Sequence, residues 1–278
     1  MPTMHGWKRV GSRCLLVAGV FTMLTVGVSR PEAWAEVKTK VVKYPHGDLE
    51  CRGYLAWDDQ VKGDRPGVLL VHEWWGLNDY ARQRAEQLAA LGYVAFAADM
   101  YGEGKTAEHP QEAGQMAAKV RENVADWRKR AQTALAVLKT QPHVDPKRLG
   151  VIGYCFGGST ALQLAYTGAD VQAVATFHAA LPAASAQEAK QVKARILVCH
   201  GADDSFIPPA AIEAFRGALD QAKVSYEFVA YPGARHSFTV KDADKHGIEG
   251  LKYNAAADEQ SWRQMQQLFK SVWKKGNE

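Results

Sequence analysis

The chain has 278 residues, of which 47% are hydrophobic and 23% are charged, values that are ordinary for a globular protein. The net charge is +4, and four basic residues and one acidic residue fall within the first 35 positions. These positions contribute +3, so the remainder carries only +1, and we expect no nucleic-acid partner.

The first 35 residues have the pattern of a secretory signal peptide. Lys8, Arg9 and Arg13 precede an apolar run over residues 15–28, and Ala-Trp-Ala at 33–35 forms a cleavage site. We expect cleavage after Ala35, which leaves residues 36–278 as one domain in the periplasm or outside the cell. That domain is expected to be a monomer that does not contact the membrane; an uncleaved anchor is the alternative.

The middle of the chain alternates predicted strands and helices. Residues 37–44 and 52–57 are predicted to form antiparallel entry strands, and the apolar run 67–71 is typical of a buried parallel strand. A helix over 79–91, a strand over 93–97 and a long amphipathic helix over 116–138 follow. This order predicts a wound α/β sheet with helices on both faces.

A glycine-rich turn carries the strongest signal of chemistry. The strand at 149–152 runs into Gly-Tyr-Cys-Phe-Gly-Gly at 153–158, and a helix is predicted over 159–166. A strand, a glycine-flanked nucleophile and a helix together form a nucleophile elbow, here with Cys155 at its centre. The positive end of the helix that follows favours a thiolate.

Two further residues follow in the order that this elbow requires. Predicted strands cover 171–177, 195–200 and 226–231, and a final helix covers 261–273. Asp204 lies in the loop after the second of these strands and is preferred to Asp203 as the acid. His236 lies in the loop after the third. Nucleophile, acid and histidine in this order are typical of the α/β-hydrolase fold, here a mostly parallel, doubly wound sheet without a large cap domain.

The chain resembles the dienelactone hydrolase family over residues 41 to 269. The resemblance rests on segments 72–78, 99–101, 153–158, 201–208 and 231–238. It implies that Cys155, Asp204 and His236 form a catalytic triad. It also implies that Glu73 holds or receives the proton of the resting cysteine, and that the backbone N–H groups of Trp74 and Phe156 form the oxyanion hole.

The substrate pocket is predicted less directly. Trp75, Tyr101 and Phe238 belong to the segments that carry the resemblance and are the candidate pocket residues; Trp74 and Trp75 could equally pack beneath the end of the sheet. Family members that hydrolyse dienelactone have arginines where this chain has Glu103 and Val240. We therefore expect neutral esters or lactones to be better substrates than dienelactone.

The predicted activity is hydrolysis of an ester or lactone, with thioesters as a further possibility, through a covalent thioester intermediate. No cofactor motif or metal-ligand cluster is visible. A non-catalytic binding protein and a peroxide-reactive thiol protein on the same fold are the alternatives. Cys51 and Cys199 are interpreted as buried core residues, although a disulfide between neighbouring strands stays open.

Overall fold

The computed structural model describes residues 36–273, so the predicted signal peptide at 1–35 lies outside the described residues. Within residues 36–273, eight strands form one sheet in the order β1-β2-β4-β3-β5-β6-β7-β8. The strands are β1 (Val37–His46), β2 (Leu49–Asp58), β3 (Arg65–Val71), β4 (Val94–Ala98), β5 (Val144–Tyr154), β6 (Ala173–Phe177), β7 (Arg195–Gly201) and β8 (Tyr226–Tyr231).

The sheet is parallel from β4 to β8, and β1 and β2 join it in antiparallel pairing. The central strands β4 and β6 are buried along their whole length. Continuous apolar runs of this kind are required where helices cover both faces of a parallel sheet. The α/β-hydrolase fold predicted from the sequence is therefore confirmed.

Seven α-helices and one short 3₁₀ helix (Ala243–His246) surround the sheet in this part of the chain. They are α1 (Asp79–Ala90), α2 (Pro110–Arg121), α3 (Val124–Lys139), α4 (Phe156–Ala165), α5 (Ala186–Gln191), α6 (Pro209–Gln221) and α7 (Ala255–Val272). Buried side chains of α1 and α7 pack on one face, and those of α2 to α6 pack on the other. The carboxyl ends of the parallel strands are left free at one edge, where open α/β sheets build their sites.

The single helix predicted over 116–138 is two helices. The first, α2, begins at Pro110, and the second, α3, begins after Asn123. Asn123 has extended backbone angles, and its side chain accepts the N–H of Asp126, so it is the N-cap of α3. The apolar spacing continues through this break, which is why periodicity alone did not show it. The break leaves Arg121 at the end of α2.

The structure gives no disulfide between Cys51 and Cys199. Both thiols are buried and free, Cys51 on β2 and Cys199 on β7. Four strands lie between β2 and β7 in the sheet, and neighbouring strands are ~4.8 Å apart, so the two cysteines are separated by about 24 Å. Among residues 36–273, no helix has the combination of length and apolar character needed to cross a membrane.

Candidate active site

The turn between β5 and α4 holds Cys155 in a strained backbone conformation, with φ 50° and ψ −112°. Such a conformation costs of order 1–3 kcal/mol for a residue with a side chain. A β-carbon at Gly153 would lie 2.0 Å from the carbonyl oxygen of Gly157, and one at Gly157 would lie 2.1 Å from that of Val71. Only glycine fits at these two positions. The close approach that they permit places Cys155, half-buried, at the carboxyl edge of the sheet.

Three predicted residues meet at this edge. The Nε2 atom of His236 lies 3.1 Å from Sγ of Cys155, and its Nδ1 atom lies 2.7 Å from Oδ2 of Asp204. The side chain of Asp204 is fully buried, whereas Asp203 is exposed to solvent. The other carboxylate oxygen of Asp204 accepts the N–H of Phe206, which fixes its orientation. The structure thus places Asp204, and not Asp203, against His236.

The charges around His236 favour its protonated form. Burial opposes the charge, but the Cys155 sulfur and the hydrogen bond to Asp204 together raise the pKa of His236 to about 10. A histidine between a sulfur and a carboxylate can move a proton between the sulfur and a bound molecule. The arrangement therefore fits nucleophilic chemistry at Cys155.

The two predicted oxyanion donors lie on either side of the turn. Phe156 is the first residue of α4, so its N–H has no partner within the helix. Across residues 36–273, the N–H groups of Phe156 and Trp74 donate to no backbone or side-chain acceptor. Both stay available to a bound oxygen atom, as a preorganised oxyanion hole requires.

A buried histidine holds the loop that carries Trp74. Burial lowers the pKa of His72, so the ring is neutral. Its Nε2 accepts the N–H of Met100, which leaves the proton on Nδ1 to be donated to the carbonyl oxygen of Glu73. The hydroxyl of Tyr101 donates to the carbonyl oxygen of Trp74 across 2.8 Å. Two hydrogen bonds therefore fix the backbone on both sides of the candidate donor.

Glu73 lies beneath the site and is only 3% exposed. Its Oε1 accepts the hydroxyl hydrogen of Ser237 across 2.8 Å and lies 3.7 Å from Nδ1 of His178. Burial raises the pKa of the Glu73 carboxyl, while the Ser237 hydrogen bond and the charges of His236 and Arg84 oppose this rise. Burial thus favours the protonated form of this carboxyl group relative to that of an exposed glutamate.

A cavity of about 240 Å³ opens above Cys155 and His236. Its wall is mostly apolar and consists of Trp74, Arg121, Cys155, Ala180, Phe206, Ile207, His236, Ile248 and Leu251. Ile248 and Leu251 come from the segment between β8 and α7. Larger clefts elsewhere on the described surface contain none of the three residues of the candidate triad.

The structure corrects the prediction of the pocket residues. Trp75 is buried and stacks on His246, with ring centroids 4.1 Å apart. Tyr101 is buried and supports the Trp74 backbone, and Phe238 is fully buried beneath the site. None of these three lines the cavity, because each side chain points into the protein from its own loop; the neighbouring Trp74 lines it instead.

Arg121 is a charged residue of the cavity wall that the sequence did not reveal. Its guanidinium lies 5.2 Å from the centre of the Phe156 ring, and within residues 36–273 it forms no ion pair. Glu103 pairs with Lys105 in an exposed loop, and Val240 lines a different cleft. Neither Glu103 nor Val240 faces the cavity, whereas Arg121 places a cation in its wall. Only the break between α2 and α3 could have indicated Arg121.

Comparisons with known proteins identify relatives that match most of this chain. The model of the dienelactone hydrolase family matches residues 51–273. A protein of Synechocystis sp. with the provisional name carboxymethylenebutenolidase is 31% identical, covering 86% of this chain and 99% of its own. A solved structure named m3DLH is 42% identical and covers 85% of this chain and 98% of its own, with a TM-score of 0.83.

A second solved structure is described as a dienelactone hydrolase-like promiscuous phosphotriesterase from metagenomic libraries. It is 39% identical, again covers 85% of this chain and 98% of its own, and has a TM-score of 0.83. Both structural relatives therefore match the whole α/β domain rather than a part of it.

Proposed function

The chain belongs to the dienelactone hydrolase family, and on that premise we propose that it hydrolyses an ester or lactone through Cys155, His236 and Asp204. The observation that carries the proposal is the position of His236, within 3.1 Å of the Cys155 sulfur and 2.7 Å of the Asp204 carboxylate. A nucleophile, a base and a group that orients the base are the parts that covalent acyl transfer needs.

In the proposed first half-reaction the Cys155 thiolate attacks the carbonyl carbon, and a carbon–sulfur bond forms. The carbonyl electron pair moves to oxygen, which accepts the N–H groups of Trp74 and Phe156; one such donor is typically worth ~3 kcal/mol in the transition state. The intermediate then collapses to a thioester. The carbon–oxygen bond breaks, and the imidazolium of His236 gives its proton to the leaving alkoxide.

In the second half-reaction neutral His236 takes a proton from water, and the water oxygen attacks the thioester. The carbon–sulfur bond breaks, and the carboxylic acid leaves. Asp204 stabilises the imidazolium in both steps, because its carboxylate lies against Nδ1 of the ring. Glu73, buried beside Ser237, is the proposed acceptor for the proton of the resting thiol.

The cavity indicates which substrates suit this chemistry. It is small and mostly apolar, so it fits the acyl part of a compact ester or lactone. A thiolate leaves more readily than an amine, which makes esters, enol lactones and thioesters better substrates than amides. The charged Arg121 at the wall is the exception to this apolar character.

A second candidate activity is hydrolysis of phosphotriesters. The relative that is 39% identical over this domain is described as a promiscuous phosphotriesterase. In this chain the Cys155 thiolate would attack phosphorus, a sulfur–phosphorus bond would form and the alkoxide would leave. Water would then cleave the sulfur–phosphorus bond and release a phosphodiester. The same two N–H groups would accept the phosphoryl oxygen.

A labelling experiment with a substrate panel tests the proposal. We expect one equivalent of iodoacetamide to modify Cys155 and to abolish hydrolysis. Burial raises the pKa of Cys51 to about 11 and that of Cys199 to about 12, so both are protonated and shielded at neutral pH. Intact mass, peptide mapping and rates on esters, lactones, thioesters and a phosphotriester provide the readout.

Cys155→Ala should be inactive on every substrate of the panel, with Cys199→Ala as the matched control that keeps activity. Label on Cys51 or Cys199 with retained hydrolysis would contradict the proposal. Full activity of Cys155→Ala would contradict it as well. If the wild type hydrolyses no substrate but its Cys155 consumes peroxide, the protein would be a peroxide-reactive thiol protein instead.

A further inference from the structure

A buried imidazole behind the candidate triad has no part in the proposed mechanism. His178 follows β6, is fully buried and lies edge-to-face against His236, with ring centroids 5.3 Å apart. Its Nδ1 has no hydrogen-bond partner within the described residues and faces Oε1 of Glu73 across 3.7 Å. Buried nitrogens without partners are rare in folded proteins, so this one calls for an explanation.

The other ring nitrogen begins a chain of hydrogen bonds. Nε2 of His178 lies 2.8 Å from Oγ1 of Thr239, and that oxygen lies 2.6 Å from the hydroxyl of Tyr80. The Tyr80 oxygen in turn accepts Nε–H of Arg84 across 3.3 Å. The chain therefore joins a cation on α1 to the imidazole behind the triad.

The chemistry of the groups sets the direction of this chain. A guanidinium only donates, so the Tyr80 oxygen accepts from Arg84 and its hydrogen is free for Thr239. The hydroxyl hydrogen of Thr239 then points at Nε2 of His178. A neutral imidazole that accepts at Nε2 carries its proton on Nδ1. That N–H faces Glu73.

The charges around His178 keep it neutral. Burial lowers the pKa of His178, and the neighbouring charges of His236 and Arg84 lower it further. Glu73 lies close to the same two cations and accepts the Ser237 hydroxyl. Arg84 is itself held by Asp258, 2.5 Å away, so the end of the chain is fixed.

We propose that His178 is a positioning residue that donates its Nδ1–H to Glu73 when this carboxylate is ionised, through a hydrogen-bond chain oriented by Arg84. The proposal rests on the proposed function, in which Glu73 accepts the proton of the resting Cys155. A shift of the Glu73 side chain by under ~1 Å would bring the two atoms to hydrogen-bond distance. An N–H that bonds to the charged form of a carboxyl group favours that form.

Two amide substitutions distinguish the ring nitrogens. In His178→Asn the side-chain nitrogen replaces Nδ1 and can still donate to Glu73, whereas in His178→Gln it replaces Nε2 and contacts only Thr239. The backbone φ of residue 178 is 40°, which asparagine tolerates best, so melting temperatures and far-UV spectra of both variants are compared first. Thr239→Val removes the hydroxyl that bonds to Nε2 of His178 and sets the tautomer of the ring. Thr176→Val, whose hydroxyl has no partner in the described residues, is its matched control.

The readouts are the alkylation rate of Cys155 and kcat/KM on a neutral ester from about pH 5 to about pH 9. We expect the rate of His178→Asn and of Thr176→Val to fall at low pH as it does in the wild type; this fall is the acid limb of the pH profile. His178→Gln and Thr239→Val should move this limb up by about one pH unit, because the Glu73 carboxylate loses a donor and holds its proton to higher pH. Infrared difference spectra against Glu73→Gln should show the same shift in the carboxyl band.

An unshifted acid limb and carboxyl band in His178→Gln would overturn the proposal. So would an equal loss of rate at every pH in both amide variants, which is what a purely structural role would cause. Failure of the proposed function gives a different result: the wild type would hydrolyse no ester, or Cys155→Ala would stay active. The infrared titration of Glu73 would still show whether His178 acts on the carboxyl group.

Discussion

Ser237 donates its hydroxyl hydrogen to Oε1 of Glu73 across 2.8 Å, inside the protein and directly after His236 in the chain. Ser237 has a φ of 53°, a left-handed conformation that is uncommon for serine. The histidine and the residue that contacts Glu73 are thus neighbours in one strained turn. This geometry couples the buried carboxyl group to the candidate triad.

The first prediction concerns the stability cost of Glu73. Burial raises the pKa of its carboxyl above the ordinary value of 4.5, so the native state binds this proton more tightly than the unfolded chain. The free energy of unfolding therefore falls as the pH rises from about 4.5 towards the native pKa. Glu73→Gln should be more stable than the wild type at pH 8, with a smaller difference at pH 5, and should lose about 10²-fold or more in hydrolysis.

Urea unfolding at the two pH values measures this effect. Glu213→Gln, on the exposed surface of α6, is the matched control and should change neither stability nor rate. If Glu73→Gln is less stable than the wild type at pH 8, burial of the ionised carboxylate does not destabilise the native state and the prediction is wrong.

The second prediction concerns the charge on His236. Burial opposes this charge, and the sulfur of Cys155 is the largest of the influences that raise the pKa of His236 to about 10. Cys155→Ala should lower this pKa by at least about one unit, which corresponds to ~1.4 kcal/mol. Because the native pKa is raised, the stabilisation is complete below the ordinary value of 6.5 and is lost as the pH rises towards 10.

Nitrogen NMR of the labelled imidazole measures the titration midpoint of His236. It also identifies the tautomer of the neutral ring at pH values above that midpoint. Cys199→Ala should leave the midpoint unchanged. If Cys155→Ala also leaves it unchanged, Asp204 alone sets the charge of the ring and the sulfur has no electrostatic role.

The third prediction concerns the choice between two adjacent acids. Asp204 contacts Nδ1 of His236, whereas Asp203 is exposed and contacts the site only through its backbone. In a serine enzyme the loss of the orienting aspartate costs about 10⁴ in rate, and a thiolate nucleophile should need less help. Asp204→Asn should therefore lose about 10²-fold to 10⁴-fold in kcat, and Asp203→Asn less than about twofold. Equal losses in the two variants would remove Asp204 from the mechanism.

Much of this fold could be predicted from the sequence because its signals are local. The buried strands are continuous apolar runs, and the glycines at 153 and 157 mark a turn where the strand and helix backbones nearly touch. The order of Cys155, Asp204 and His236 along the chain was then enough to predict that they lie close together, since parallel strands bring their carboxyl ends to one edge.

The side chains of the cavity could not be predicted in the same way. Whether Trp74 or Trp75 lines the cavity depends on the backbone conformation of the loop after β3. The sequence cannot distinguish them, because they are adjacent residues of the same type. Arg121 enters the cavity only because α2 ends before Asn123, a break that the apolar spacing hides. The contact between His178 and Glu73 joins residues more than a hundred positions apart, which no short motif encodes.

The last prediction concerns substrate charge, on which the sequence predicts a preference for neutral esters or lactones. Arg121 lies at the cavity wall over Phe156, so the anionic group of a bound ester would meet a cation beside the oxyanion donor. Arg121→Met should lower kcat/KM for an ester that carries a free carboxylate by about threefold to tenfold, and leave its methyl ester unchanged. The effect is modest because Arg121 is exposed, and added salt should weaken it further. Arg216, on α6, lies 5.6 Å from the centre of the Phe228 ring, away from the cavity. Arg216→Met is therefore the matched control and should affect neither substrate. If Arg121→Met instead slows both esters equally, the arginine shapes the cavity and does not select for charge.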